Sequence, residues 1–397
     1  MEPVVKSLLL HRYRSFVSEQ VDFDNPTFFV GQNGAGKSNL VDALAFLSEA
    51  MSTPLAAVLS RRGGLETVKY RRHTGLYGRR LALGVVLGSL GDGIEGARYA
   101  FAVDTSGRGF EVVREQCVIE LAGGTRHWFD RTVDGYRSSL SELNLAINPT
   151  SLVMPIVGGD QRFTPVPCAL TGIRVYSINP ERLREPQDAN GHAGLYADGA
   201  NTAAVLMELL KSSPSDLEEI SELVGAIVPG VTRVQPVPYG AKLLIEFMQR
   251  WGSQGAVKLG AADMSDGTLR ALALLAAAYQ HPVPAVMAIE EPEATVHPGA
   301  IGVLLDILHH AAARSQLVVT THSPELLDSK SIDDRHLRVV TWEDGQSHVT
   351  ALAESSREAL RRHLMGAGEL LRSNALDAAP LAVAQKTASP PLFENDL

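Results

Sequence analysis

Cysteine is nearly absent: the 397 residues hold two, Cys117 and Cys168. They stand in unrelated contexts, which excludes a disulfide framework and a cysteine-based zinc site; a reducing cytoplasm is the expected setting. Long apolar runs are missing too. The most apolar longer stretch, Leu269 to Ile289, is broken by Arg270, Gln280, His281, Pro282 and Pro284, so it does not cross a bilayer unaided. The opening MEPVVKSLLLHRYRSF runs at once into His11, Arg12 and Arg14 and does not read as a signal peptide. A soluble chain without a membrane partner is expected. Net positive charge is lacking as well. At a formal −9 the chain is not coated in basic surface, although a local basic groove can sit on an acidic protein. No internal repeat and no sustained heptads occur, which excludes long coiled-coil arms.

What the sequence does contain is a glycine-rich turn in a telling place. GQNGAGKSNLVDAL, Gly31 to Leu44, follows the apolar run Thr27 to Val30, and Leu40, Val41, Leu44 and Leu47 then recur at helical spacing. Gly31, Gly36, Lys37 and Ser38 fit G-x-x-x-x-G-K-[ST]. In such a loop the backbone N–H groups of Asn33, Gly34, Ala35, Gly36 and Asn39 turn toward a phosphate at a helix N-terminus. Lys37 supplies a mobile cation, and the Ser38 hydroxyl is a ligand for Mg²⁺. A P-loop alone does not separate kinases, GTPases, transporters and DNA-linked ATPases.

The pattern elsewhere places this loop in an α/β chain. Up to about Ala50 it reads strand, strand, P-loop, helix. From Leu81 to about Ser138 short β-type runs alternate with turn residues and predict an antiparallel layer, an accessory lobe on the nucleotide fold. Ile173 to Ile178 reads as a buried strand, Asn201 to Leu210 as a helix, and Ser213, Pro214 and Asp216 open another helix ending near Val228. From Ala285 onward strand and helix alternate, so the P-loop half and the C-terminal half are expected to complete one core sheet. The last twenty-five or so residues, rich in Ala and Pro, predict a flexible tail.

Three further elements follow the P-loop in fixed order. In MSDGTLRALALLAAA, Ser265 and Gly267 precede a helix starting near Thr268; a Ser hydroxyl and Gly N–H groups there form a second anion-binding surface, although Ser-Asp-Gly alone is more often an ordinary helix cap. The strand Ala285 to Ile289 delivers Glu290 and Glu291, one carboxylate for a metal shell and one to polarise a water. LVVTTHSPE ends a second apolar strand at His322, whose imidazole can donate to a phosphate or orient a water. Singly, strand-end acids are commonly just solvated and a histidine structural; together the order resembles that of ABC-type ATPases. MSDG then stands for the signature, Glu290 and Glu291 for the Walker B acids, and His322 for the switch histidine.

The likeness extends to HRYRSF before the P-loop, PERLREP at Pro180 to Pro186, LYADGANTAAVL at Leu195 to Leu206, IEEPEATVHP and VVTTHSPELLD. These resemble the ATPases often filed under AAA that carry ABC motifs, akin to the SMC and RecF group and to the ATPase half of OLD nucleases. Met264 and Glu290 depart from the general ABC pattern, and Gln161 or Gln187 stand as candidates for its Q-loop. The resemblance covers the chain to about Leu371. It implies an α/β P-loop ABC-ATPase head with a mixed or parallel core sheet, an antiparallel β layer and an inserted helical region. Residues 1–60 would be the P-loop part, 61–260 the inserted lobe and 261–350 the signature, Walker B and His-switch part, in one head over 1–371 followed by a tail over 372–397. It further implies ATP and Mg²⁺ as ligands, with Ser38 and Glu290 on the metal. Glu291 would be the base, with His322 beside it, and Ser265 and Gly267 would cap the nucleotide of a second copy, giving an ATP-linked homodimer. DNA is a possible partner, and any nuclease or effector, such as the Toprim lobe of OLD enzymes, is expected on a separate polypeptide. A transporter motor subunit and a non-hydrolysing nucleotide sensor are the rival functions.

Two readings stay open at this level. KYRRHTGLYGRR, Lys69 to Arg80, sets five cations beside Tyr70 and Tyr77, which suits phosphates and bases or simply a solvated hairpin. Arg14 either reaches the nucleotide or plays a structural part. His309 and His310, being adjacent on one helix, make a poor metal pair.

Overall fold

The structure is a computed structural model describing residues 2–71, 80–107, 109–140, 147–189, 194–252, 255–329, 332–380 and 392–394. The chain divides into two compact units, the first formed by residues 2–174, 333–364 and 374–397, the second by 175–332 and 365–373.

In the first unit a seven-stranded antiparallel sheet runs, in spatial order, Phe16–Asp22, Val5–Tyr13, Leu81–Leu87, Ile94–Ser106, Gly109–Leu121, Arg126–Thr132 and Gly135–Ser138. The antiparallel layer predicted from Leu81 is there, but it also takes in the first two strands, which the sequence had assigned to the P-loop part. Val5–Tyr13 pairs with Leu81–Leu87 through Leu8 opposite Val85 and Leu10 opposite Leu83, so its apolar residues are spent in that sheet. On one face small residues leave room for a cluster of Leu9, Ala82, Ala100, Ala102 and Leu392. Phe46, fully buried on the P-loop helix Lys37–Ser52, meets Tyr13 edge-on and stacks on Phe101. Burial of such a ring stabilises by about 1.5–3 kcal/mol and seats the helix on the sheet.

The P-loop strand Thr27–Val30 is buried along its whole length, as a parallel strand should be. It lies parallel to Leu337–Glu343, Phe28 facing Leu337 and Val30 facing Val339, and Gln346–Thr350 adds an antiparallel edge. The expected joining of the N-terminal and C-terminal parts is therefore visible within this unit.

In the second unit Val286–Glu290 and Gln316–Thr321 pair in parallel, Glu290 opposite Thr320, with the helix Ile301–Arg314 between them in sequence. The signature helix Asp266–Tyr279 buries all but two of its residues, which fits its nearly unbroken Ala and Leu run. It starts at Asp266, two residues before the predicted Thr268, because Ser265 is the cap. Helices Thr202–Ser212 and Pro214–Ile227 form as predicted, followed by antiparallel strands Val231–Tyr239, Lys242–Arg250 and Ala256–Gly260. No helix among the described residues is long and apolar enough to cross a membrane.

The tail departs from expectation where it is described. Leu352 bridges Ala378, Leu392 is buried, and Gln116 and Arg114 donate to the Glu394 carbonyl. The remainder of the predicted tail, 381–391 and 395–397, lies outside the described residues.

Candidate nucleotide site

The phosphate loop takes its shape from its glycines. Gly34 and Gly36 hold φ of 80° and 112°, a region that L side chains rarely adopt. A Cβ at Gly31 would collide with the Val340 carbonyl oxygen, and one at Gly36 with the Ser347 hydroxyl. Gly36 caps the helix, so Lys37 and Ser38 form its first turn, where the helix dipole favours an anion. Lys37 is buried and its ammonium bridges the loop, donating to the carbonyls of Gly31 at 2.7 Å and Gln32 at 3.1 Å. Ala35 closes the turn onto Gln32, and Asn39 returns its N–H to the Gly36 carbonyl.

Sequence reasoning missed what supports the loop from behind. HRYRSF is a hairpin tip: Tyr13 pairs with Phe16 across a two-residue turn of Arg14 and Ser15. The Ser347 hydroxyl donates to the Ala35 carbonyl at 2.6 Å and lies 2.7 Å from Ser15 Oγ, a hydroxyl pair in which Ser15 is left as the donor, and Asn39 Nδ2 donates to the same Ser15 oxygen. Ser347 comes from the strand Gln346–Thr350, more than three hundred residues away in sequence, so no local signal could mark it.

Arg14 is committed to the P-loop helix. Its guanidinium pairs with Asp42 Oδ2 at 2.8 Å, where Tyr13 also donates, while Arg62 holds Oδ1. Burial works against the Asp42 charge, but hydrogen bonds from Tyr13 and Arg62 and the two guanidinium charges bring its carboxyl below the ordinary range. The structural reading of Arg14 is the one this geometry supports.

In the second unit Ser265 Oγ accepts from the Thr268 N–H at 3.3 Å, the capping role weighed from sequence. Ser265 and Asp266 face solvent and Gly267 is buried. A Cβ on Gly267 would stand 2.6 Å from the Thr295 carbonyl oxygen, so this glycine admits the loop after Glu290 close against the helix. Arg184, from PERLREP, fastens the turn by donating to the Met264 carbonyl at 2.9 Å and to Asp266 at 2.7 Å.

The acids and His322 sit together at the carboxyl ends of the two parallel strands, where open α/β sheets place their ligands. Glu291 holds φ 42°, which is strained for a residue with a side chain; its N–H is fixed by the Thr320 carbonyl at 3.0 Å. Glu291 Oε1 lies 3.4 Å from His322 Nδ1, and both side chains are about half exposed. Glu293, absent from the sequence-derived site, accepts from Thr321 Oγ1 at 2.6 Å and from the His322 N–H at 3.3 Å.

Other candidates fall elsewhere. Gln187 is buried, its side-chain oxygen accepting from the Ala203 N–H, and Gln161 is exposed; neither geometry marks a Q-loop. His310 stacks on Tyr279 at 4.1 Å. Of the basic segment, Lys69 is buried and pairs with Glu66, Tyr70 donates to the Gly345 carbonyl and Arg71 to that of Glu66. Residues 72–79, Tyr77 among them, lie outside the described residues. No group of three His, Cys, Asp or Glu side chains among the described residues is arranged to hold a metal. The Ser38 hydroxyl and the Glu290 carboxylate are each hard oxygen donors of the kind Mg²⁺ takes.

Residues 209–328 match the family described as "AAA domain, putative AbiEii toxin, Type IV TA system", and residues 7–61 match one described as "AAA domain". No curated protein matches the chain in sequence. Among solved structures, the Smc head bound to the C-terminal winged-helix domain of ScpA is 15% identical with a TM-score of 0.57, covering 90% of this chain and 100% of that one. The Smc head with an extended coiled coil bound to the C-terminal domain of ScpA, from Pyrococcus furiosus, is 14% identical with a TM-score of 0.55, covering 91% and 99%.

Proposed function

From a chain with the fold of an SMC-type ABC ATPase head and with AAA-domain matches over both its P-loop and its acid-bearing segments, we propose an ATP-binding and ATP-hydrolysing machine that closes into a homodimer on ATP. The observation that carries the reading is the phosphate loop, in which positive-φ glycines, a helix N-terminus and a bridging lysine converge. Backbone N–H groups of the loop around Gly34 and Gly36 and the Lys37 ammonium hold the phosphates. Ser38 and Glu290 would be the residues to hold Mg²⁺, which would neutralise charge on the phosphate oxygens. Glu291 polarises the attacking water, His322 orients beside it, and Ser265 and Gly267 of one copy cap the nucleotide of the other. Hydrolysis reopens the pair. The output is DNA-linked, in repair, genome maintenance or defence against foreign DNA, and acts in the cytoplasm through a separate effector polypeptide. The solved Smc heads bound to domains of ScpA support the idea of a protein partner.

Calorimetry with ATP tests the first step. Lys37→Ala removes a charge-assisted contact and should weaken binding by about 1.5–3 kcal/mol. Unchanged affinity would remove the basis of the assignment.

A further inference from the structure

Glu293 has no place in the site as proposed, yet it is the most enclosed acid of the strand-end group, 8% exposed, whereas Glu290 and Glu291 are partly open. Its side chain is not needed to build its own loop. The turns there are closed by backbone bonds, Ala294 to Glu291 and Val296 to Glu293. The carboxylate is instead directed at the neighbouring strand end. Oε1 accepts from Thr321 Oγ1 and from the His322 N–H and stands 3.9 Å from His322 Nδ1, on the same ring nitrogen that Glu291 approaches. Two carboxylates on the Nδ1 side favour the tautomer protonated there and leave Nε2 as the outward nitrogen. Glu293 Oε2 is buried with no hydrogen-bond partner among the described residues.

We propose that Glu293 is a positioning residue for His322: its carboxylate fixes the backbone and the ring tautomer of the histidine. The idea rests on the reading of Glu291 and His322 as the pair that acts on nucleotide. Glu293→Ala should lower kcat for ATP about 10-fold or more while KM stays within about twofold. Glu293→Gln keeps an acceptor oxygen for Thr321 and the His322 N–H and should recover most of the loss. Thr321→Val tests the same link from the other side should the alanine variant not fold. In the double variant, Glu293→Ala should add nothing to His322→Ala, whereas a general structural defect would compound it. Long-range ¹H–¹⁵N spectra of His322 in nucleotide-free protein give a readout independent of turnover, with an Nδ1–H pattern in the wild type and an averaged one in Glu293→Ala. An unchanged ring spectrum, or wild-type kcat in Glu293→Ala while Glu291→Gln is inactive, overturns the proposal and leaves the assignment of Glu291 standing. Full turnover in Glu291→Gln would instead defeat the proposed function, and the ring spectrum would still decide the part played by Glu293.

Discussion

Glu115 is buried in the antiparallel sheet, where its carboxylate accepts from Tyr99 at 2.9 Å and from the N–H groups of Val153 and Met154 at 2.5 and 2.8 Å. Burial pushes its carboxyl from an ordinary 4.5 up to about 7, against the pull of those hydrogen bonds. The raised value means that between these limits the folded chain binds a proton which the unfolded chain has released. Its stabilising contribution is complete below about 4.5 and declines as pH rises through 7. The unfolding free energy of the wild type minus that of Glu115→Gln should therefore fall by more than about 1 kcal/mol from pH 5 to pH 7.5. A flat difference in denaturant titrations would contradict this. At the same scale, sequence disclosed the loop residues well, because a G-x-x-x-x-G-K-[ST] spacing records backbone geometry directly. It left Arg14 open, because whether a guanidinium meets a phosphate or Asp42 depends on a partner 28 residues away. It missed Glu293, which reads as one more strand-end acid until Thr321 is seen beside it.

Elements were legible wherever periodicity and capping agreed. The signature helix carries a nearly unbroken apolar run behind a Ser cap, and the parallel strands are short apolar runs that end at or just before the site residues. The HRYRSF hairpin was not, because its two-residue turn is Arg-Ser, without the Asn or Gly that such turns favour, although Arg14 sits at φ 51°. Glycines separate into two kinds at this scale. Gly267→Ala would drive a methyl into the Thr295 carbonyl and should cost about 1–3 kcal/mol of stability. Gly302, in the first turn of Ile301–Arg314, has nothing within 4 Å of its would-be Cβ. Gly302→Ala should stabilise by about 0.4–1 kcal/mol. Thermal unfolding of the two variants checks both signs, and equal melting temperatures would contradict the packing assigned to the signature helix.

For the whole molecule, the account requires two copies to share each nucleotide. Lys37→Ala damages only the loop side of a site and Ser265→Arg only the signature side, so a mixed dimer holds one site with both defects and one with neither. Mixing the two inactive chains should restore part of the ATPase activity, and full activity in Ser265→Arg alone would defeat the shared arrangement. Beneath that lies the claim that this chain hydrolyses ATP with Glu291. The most direct measurement is phosphate release by the full-length wild type and Glu291→Gln, side by side, at saturating ATP with bound nucleotide quantified in both. The account predicts steady release from the wild type and roughly 10²- to 10⁴-fold less from Glu291→Gln, with ATP retained by the variant. Equal release from the two proteins, or none from a wild type that binds ATP, would contradict it.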